Sequence, residues 1–328
     1  MQGTILIADR KISLKNNVDH LLARLGINRM GYLVTPGLYR FGDPGPESPV
    51  FITANYTLSF DALRSSLKEI DCFILVLNTF GINVWCAAGK GTFGTEELIR
   101  KIDETRLHET IKHRTLILPQ LGAPGVSAHR VKEKTGFNIK YGPVRAADIP
   151  DYLGNKKISA GARRVKFTLL DRLILIPVEF IHVLLPMLIL SGILYLTVGL
   201  MPALALASAM IAGSVLFPVL LPWLPTKNFS TKGFILGGVV AFIFGSVHIL
   251  NHSNQAWVFT LISTMAYILS LPPVTAFLAL NFTGATTFTS RSGVRKEIYA
   301  YFPAMVWMFA AGMFFFSTAI IVSLTVSK

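Results

Sequence analysis

The sequence contains little cysteine, and its second half contains little charge. Only Cys72 and Cys86 occur among the 328 residues, which excludes a small fold held together by disulfides. Residues 167–328 include only 7 Lys and Arg and 3 Asp and Glu, against 24 and 15 in residues 1–166. So low a charge content excludes an ordinary soluble domain for the second half. The first half has the composition of a soluble domain.

Long uncharged runs occupy 180–226, 233–290 and 298–327. A membrane-spanning helix needs about 20 apolar residues, and these runs are interrupted by segments typical of turns. The sequence therefore predicts five spanning helices, near 177–198, 203–224, 233–251, 257–280 and 302–325.

Basic residues in the second half follow an alternating pattern. The loops 225–232 and 281–301 and the segment before the first span contain Lys and Arg, whereas 199–202 and 252–256 contain none. The positive-inside rule then predicts an N-terminus inside and a C-terminus outside. We expect three regions: a soluble domain at 1–160, a basic linker or interfacial helix at 161–176 and a membrane domain at 177–328.

The location of the soluble domain follows from two further features. The apolar stretch within residues 1–11 is too short for a signal peptide, so we expect this domain in the cytoplasm, on the inner side of the cytoplasmic membrane. The net charge is +13, but no basic stripe interleaved with aromatic residues occurs. Membrane lipid is therefore the predicted partner of the positive charge, and a nucleic acid is not.

Two pairs of ionisable residues fall within the predicted spans. Glu179 and His182 are three residues apart near the inner end, which is typical of an interfacial pair, although intramembrane ionisable groups are also functional candidates. His248 and His252 are four residues apart and have the spacing of a shared metal site. They also lie at the outer end of a span, where histidines contact water. Neither pair by itself predicts a transporter.

The first half alternates short apolar runs with helical stretches. Strands are predicted at 49–53, 71–77 and 115–118, and helices at 16–25, 95–108 and 126–135. In the second helix Thr95 is the predicted N-cap. This alternation predicts an α/β domain with a mostly parallel sheet. Ligands bind such sheets at the carboxyl ends of the strands, so the loops 53–58, 78–95 and 120–129 are candidates.

Two glycine-rich patterns near Cys86 are weak. Residues 89–94 match the G-x-G-x-x-G pattern of dinucleotide binding, but they do not directly follow a strand, so NAD binding is a minor alternative. The phosphate-binding P-loop pattern fails because Val84 stands where its first glycine is required.

The two cysteines have different surroundings. Cys72 lies within a predicted strand and has the character of a small core residue. Cys86 lies among small residues with Lys90 four residues later, and a thiolate is a soft, strongly donating metal ligand. A covalent nucleophile is the alternative, although no His or acid lies nearby in the sequence to activate it.

The stretch around Cys86 resembles a known family. It is similar at every position to the cap-helix motif of the HgcA family, the corrinoid proteins of microbial mercury methylation, through residues Asn83, Val84, Trp85, Cys86, Ala87, Ala88, Gly89 and Lys90. Residues 49–56, 58–61, 120–126 and 141–145 are similar to the same family. These blocks also resemble the corrinoid domain of the large subunit of the corrinoid iron–sulfur protein of acetyl-CoA metabolism, which is soluble and lacks the cysteine.

The resemblance implies a Rossmann-like α/β corrinoid-binding domain followed by a membrane domain of five helices. The cofactor would be cobalamin, with Cys86 as the lower axial ligand of cobalt. The family's methyl group comes from a methyltetrahydrofolate-linked donor and passes to Hg(II), and a ferredoxin-like [4Fe–4S] protein supplies electrons. A thiolate opposite the methyl group donates electron density through cobalt and eases transfer to an electrophile.

The resemblance also implies which residues contact the cofactor. They are Thr53, Asn55, Asn83, Val84, Trp85, Cys86, Ala87, Ala88, Gly89, Lys90, Gly122 and Gly125. Three alternatives stay open: a corrinoid methyl carrier for another acceptor, a membrane transport or sensor protein with a corrinoid-binding domain, and an NAD oxidoreductase.

Overall fold

The computed structural model describes residues 5–155, 158–253, 255–286 and 289–326. The chain forms two compact units, Met1–Lys166 and Phe167–Lys328. The predicted fold class, an α/β domain followed by an all-helical region, is confirmed.

The first unit is built on a six-stranded sheet with the order β1-β2-β4-β3-β5-β6. Its strands are β1 Leu6–Ala8, β2 Gly37–Phe41, β3 Val50–Ala54, β4 Cys72–Leu77, β5 Thr115–Leu118 and β6 Asn138–Tyr141. Neighbouring strands are parallel except β2 and β4, which are antiparallel. Every residue of β3 and β4 is buried, as expected for strands that are covered on both faces.

Helices cover both faces of the sheet. They are α1 Leu14–Arg24, α2 Thr57–Ser66, α3 Val84–Lys90, α4 Thr95–Glu104, α5 Leu107–Thr110, α6 Ala128–Thr135 and α7 Ile149–Asn155. Apolar side chains of α3, α4 and α6 pack with Val50, Ile52 and Leu75 on one face. Those of α2 and α7 pack with Phe51 and Ile74 on the other. Successive side chains along a strand point to opposite faces of the sheet, so the same strands contribute to a hydrophobic core on each face.

Two local predictions need correction. Thr95 is the first helical residue of α4, and Gly94 is the N-cap. The Thr95 hydroxyl oxygen instead accepts a hydrogen bond from the backbone N–H of Ser127 at 2.9 Å, so it joins α4 to the segment before α6. The helix predicted to reach 108 ends at Glu104 because Arg106 adopts a left-handed conformation with φ 48°, and α5 follows as a separate turn.

The second unit is helical. Its helices are α8 Leu169–Leu173, α9 Ile176–Thr197, α10 Leu200–Ile211, α11 Phe217–Leu220, α12 Phe229–Asn251, α13 Trp257–Asn281 and α14 Arg291–Val326, with a π-helical segment, Ala212–Leu216, between α10 and α11. Five stretches are long and apolar enough to cross a membrane: Leu169–Thr197, Leu200–Leu220, Phe229–Asn251, Trp257–Gly284 and Ser292–Ser323. The prediction of five candidate spans is confirmed by length and composition.

Glycines allow α12 and α13 to approach closely. A Cβ on Gly233 would lie 2.5 Å from the Cα of Ala276, and one on Gly237 would lie 2.6 Å from the Cα of Pro272. Small residues at such contacts are typical of helices packed within a membrane, where close van der Waals contact drives association.

Candidate functional site

The site is centred on α3, a helix of seven residues fixed at both ends. The side-chain oxygen of Asn83 accepts a hydrogen bond from the backbone N–H of Cys86 at 2.9 Å, which caps the N-terminus. Gly91 ends the helix with φ 87°, a left-handed conformation that glycine adopts without steric cost. Local sequence therefore determines where α3 begins and ends.

Burial divides α3 into two faces. Val84, Ala87 and Ala88 are buried in the core, whereas Gly89 and Lys90 are exposed and Trp85 and Cys86 are half-buried. Successive residues turn by about 100° around a helix. Cys86 and Gly89 therefore lie almost opposite the buried face, between Trp85 and Lys90. We call these four residues the outer face of α3.

Among the described residues, none fills the space above Gly89. A Cβ on this glycine would have no atom within 4 Å apart from its chain neighbours and the backbone of its own helix. The outer face thus presents a thiol and bare backbone next to each other, flanked by an aromatic ring and a positive charge. Such a surface fits a broad, flat ligand whose centre approaches the sulfur.

Gly122 and Gly125 belong to the loop that follows β5, and this loop packs against α3 and Phe93. A Cβ on Gly125 would overlap the carbonyl oxygen of Phe93 and lie 3.0 Å from the Cα of Ala88. A Cβ on Gly122 would lie 2.6 Å from the ring of Phe93. Both glycines therefore allow the loop to pack closely behind the cap helix.

Thr53 and Asn55 lie at the carboxyl end of β3, and both are buried, at 3% and 4% exposed. The side-chain oxygen of Asn55 accepts hydrogen bonds from Thr79 N at 2.8 Å, Thr79 Oγ1 at 2.9 Å and Gly81 N at 3.2 Å. Asn55 thus holds the segment 78–82, which leads from β4 into α3. The structure brings the predicted residues to one edge of the sheet, where Asn55 bonds to the protein itself.

Phe80 was missed by the sequence analysis. It is 64% exposed and has φ 56°, a conformation that is strained for an aromatic residue, and its N–H donates to the side-chain oxygen of Asn78 at 3.2 Å. Exposed Met30 and Leu33 lie on the neighbouring loop, since a Cβ on Gly81 would meet the backbone of Met30 at 2.6 Å and the side chain of Leu33 at 2.8 Å. An aromatic residue before a glycine, directly after a strand, is the signal that could have found it.

The two cysteines differ as predicted in their surroundings. Cys72 is fully buried in β4, and burial raises the pKa of its thiol to about 12, with a smaller contribution from the negative charge of Asp71. Its sulfur therefore stays a neutral core group near pH 7. Cys86 is free and half-buried. Of the two thiols, it is the one available to a ligand.

A single thiol supplies a single metal ligand. In the chain as described, no group of three or more His, Cys, Asp and Glu side chains is placed to hold a metal ion. A metal bound at Cys86 would thus bring its remaining ligands with it. The half-buried thiol next to the accessible backbone of Gly89 fits a planar macrocycle that carries its own metal, such as a corrinoid.

Both pairs of ionisable residues in the helical unit border cavities. The N–H at Nδ1 of His182 donates to the carbonyl of Val178 at 2.6 Å, and Glu179 and His182 line a cavity of about 750 Å³. The rings of His248 and His252 stack at 4.3 Å beside a second cavity of about 740 Å³. Within the described residues, Nε2 of His248 is buried without a hydrogen-bond partner. The roles of both pairs stay predictions.

Fold and site together define a class of protein: an α/β domain with a half-buried free thiol on a short helix that follows a central strand, joined to a helical unit with five candidate membrane spans. Residues 28–153 match the family model described as CO dehydrogenase/acetyl-CoA synthase delta subunit. This region runs from before β2 into α7 and includes the whole of α3. The predicted similarity of the first unit to a protein of acetyl-CoA metabolism is thereby confirmed.

Individual relatives show the same likeness. The chain is 34% identical over 122 residues to the acetyl-CoA decarbonylase/synthase complex subunit gamma of Methanopyrus kandleri. It is 36% identical to that of Archaeoglobus fulgidus and 33% identical to that of Methanothermobacter thermautotrophicus. Each alignment covers 37% of this chain and 26% of the relative, so the chain matches about a quarter of the length of these curated relatives.

Proposed function

We propose that the chain is a membrane-anchored, cobalamin-dependent methyltransferase that passes a methyl group to Hg(II). The observation that carries this proposal is the outer face of α3, where the thiol of Cys86 and the open backbone of Gly89 lie side by side. The similarity to subunits of acetyl-CoA decarbonylase/synthase supports a methyl-carrying corrinoid domain, and the sequence around Cys86 supports mercury as the acceptor.

The residues of the site have distinct roles in this proposal. The cobalamin, when bound, supplies a cobalt centre that accepts and releases the methyl group. Cys86 would hold that cobalt through its sulfur, and Asn83 fixes the backbone of Cys86 by capping α3. Trp85 would shield one side of the ring from water, and Lys90 would place a positive charge at the other. Gly89 would let the ring approach the backbone.

Partners and location belong to the same proposal. A methyltetrahydrofolate-linked donor would supply the methyl group, and a ferredoxin-like [4Fe–4S] protein would return the electrons spent in each cycle. The α/β unit would lie in the cytoplasm at the inner face of the membrane. The division into 1–160, a basic segment at 161–176 and a membrane domain from 177 is the arrangement that we propose.

The test is the substitution Cys86→Ala in the full chain. We expect methylmercury formation from Hg(II), in the presence of the methyl donor and a low-potential electron donor, to fall to the background rate. The bound corrinoid should remain detectable by its visible absorbance but with shifted bands, because the lower ligand of the metal has changed.

Cys72→Ala is the matched control. It removes the other thiol of the chain, which is buried away from the outer face, so activity and corrinoid spectrum should stay unchanged. Full methylation activity in Cys86→Ala would rule out the proposed role of Cys86 as a cobalt ligand. Unchanged absorbance bands in that variant would equally contradict it.

A methyl carrier for another acceptor is the second candidate. It is favoured by the match of residues 28–153 to a family that acts in acetyl-CoA metabolism. The two candidates separate in one assay of the methyl-loaded protein. Loss of the methyl group upon addition of Hg(II), with methylmercury as the product, supports the first, and retention of the methyl group supports the second.

A further inference from the structure

A basic cavity lies at one end of the helical unit. Its volume is about 450 Å³, and its polar lining includes Arg172, Lys227, Lys232, Thr226, Thr289 and Ser290. Residues 167–328 contain only 7 Lys and Arg, so a large part of their positive charge borders this one space. We call it the basic cavity.

Hydrogen bonds hold the side chain of Arg172 in a fixed position and leave some of its N–H donors unused. It is 4% exposed, and its Nη1 donates to the carbonyls of Pro218 at 2.9 Å and Val219 at 2.6 Å. Its guanidinium also lies 5.7 Å from the ring of Trp223. A guanidinium has five N–H donors. Those at Nη2 make no hydrogen bond to a described residue, so they are available to a ligand.

The two lysines add charge that the protein neutralises only in part. Lys232 donates from Nζ to the carbonyl of Leu221 at 2.6 Å, which uses one of its three N–H donors. Lys227 forms no ion pair within the described residues. The lining also includes Glu297, whose carboxylate accepts a hydrogen bond from the N–H of Ser230 at 2.6 Å in the first turn of α12.

The charges in the lining do not balance. Three cations and one carboxylate leave 3 − 1 = +2, and the carboxylate is engaged with a helix N-terminus. Backbone carbonyls hold two of the three cations, Arg172 and Lys232, in place, so these two need little ordering when an anion binds. The hydroxyls of Thr226 and Thr289 already donate within the protein, whereas that of Ser290 can donate to an acceptor in the cavity while it accepts from Ser292.

We propose that the basic cavity binds a phosphate group. The two N–H groups at Nη2 of Arg172, the unused ammonium N–H groups of the two lysines and the hydroxyl of Ser290 can all donate to phosphate oxygens. The cavity borders the first residues of α12, one of the candidate spans, where lipid headgroups lie in a membrane. The group would come from an anionic lipid or from a soluble phosphate, and both present the same oxygens.

The experiment uses the full chain, purified in a neutral detergent and stripped of lipid. Phosphatidylglycerol, phosphatidylcholine and inorganic phosphate are titrated separately, with retained lipid counted by native mass spectrometry and phosphate binding followed by calorimetry. We expect phosphatidylglycerol to bind saturably and at least about tenfold more tightly than phosphatidylcholine, because the positively charged lining favours a lipid with net negative charge. Tight binding of inorganic phosphate instead would identify a soluble source and support the same site.

Lys227→Gln and Lys232→Gln test the cavity itself. Each should weaken binding about fivefold, the effect expected for one cation near an anionic headgroup. Lys296→Gln is the matched control, because Lys296 precedes Glu297 on α14 but does not line the cavity. Its effect should stay below about twofold, since only the diffuse charge of the surface changes.

Two results would overturn the proposal: no saturable binding of either phosphatidylglycerol or phosphate, or an effect of Lys296→Gln equal to that of the cavity lysines. Lys227 makes no hydrogen bond within the described residues, so its replacement leaves the fold intact. The outcome is independent of mercury chemistry at Cys86, because no step of the assay uses a corrinoid.

Discussion

The glycines of the candidate site serve opposite purposes. Gly125 lies in a space so confined that a single added carbon would meet Phe93 and Ala88. Gly89 lies on the outer face of α3, where an added Cβ would contact no described residue outside its own helix. We expect the fold to require a glycine at position 125 and a bound ligand to require one at position 89.

The same substitution at both positions separates these purposes. Gly125→Ala should lower the free energy of unfolding by about 1–3 kcal/mol, the usual cost of overpacking. Gly89→Ala should leave the unfolding free energy unchanged or raise it by about 0.5–1 kcal/mol, because alanine is the better helix former. It should nevertheless weaken corrinoid binding, since the new methyl group lies on the outer face of α3.

Thermal unfolding and a corrinoid titration followed by visible absorbance measure the two effects. If Gly89→Ala bound the corrinoid as tightly as the unchanged protein, a flat ligand on this face would be ruled out.

The strands around the site differ in how well the sequence predicts them. The runs that form β3, β4 and β5 are predicted correctly because their burial on both faces requires continuous apolar sequence. The strands β1, β2 and β6 are missed. β1 and β6 are short and partly exposed, and in β2 Gly37 and the exposed Arg40 interrupt the apolar run. The bonds from Asn55 to residues 79 and 81 have no pattern in the sequence, since they depend on β3 and β4 lying side by side.

Asn55→Ala should therefore loosen the segment 78–82 as a whole. It leaves the N–H groups of Thr79 and Gly81 without their acceptor, at a cost of about 1–3 kcal/mol for each buried donor. Hydrogen exchange of these two amides should accelerate, and the unfolding midpoint should fall. Asn55→Asp keeps the accepting oxygen and is the control. Exchange rates that stayed unchanged in Asn55→Ala would show that the segment is held by other contacts.

Across the whole molecule, the two units differ in their content of charged residues, and this difference can be read from the sequence. The five candidate spans are predicted well because a membrane requires long uncharged helices, which leave a clear pattern. The basic cavity could not be predicted, since Arg172 and Lys232 are 60 positions apart and meet only through the fold of the helical unit.

The proposed orientation is tested with single cysteines in the Cys72→Ala/Cys86→Ala background. Ser253→Cys lies in the predicted outer loop, and Thr226→Cys lies in the predicted inner loop; both positions are exposed. A membrane-impermeant maleimide should label Ser253→Cys in intact cells and Thr226→Cys only after lysis. The reverse pattern would place the α/β unit outside the cell.

The antiparallel strand β2 has a consequence for the surface of the α/β unit. Because β2 runs against β4, the residues that precede it arrive at the edge where β3, β4, β5 and β6 finish. There the backbone of Val34 donates to Asn55, and Thr57 donates to Tyr32. In an all-parallel sheet, this early segment would begin its strand at the far edge. Its reversal brings the exposed apolar side chains of Met30 and Leu33 next to Gly81 and the exposed ring of Phe80, on the segment that leads into α3.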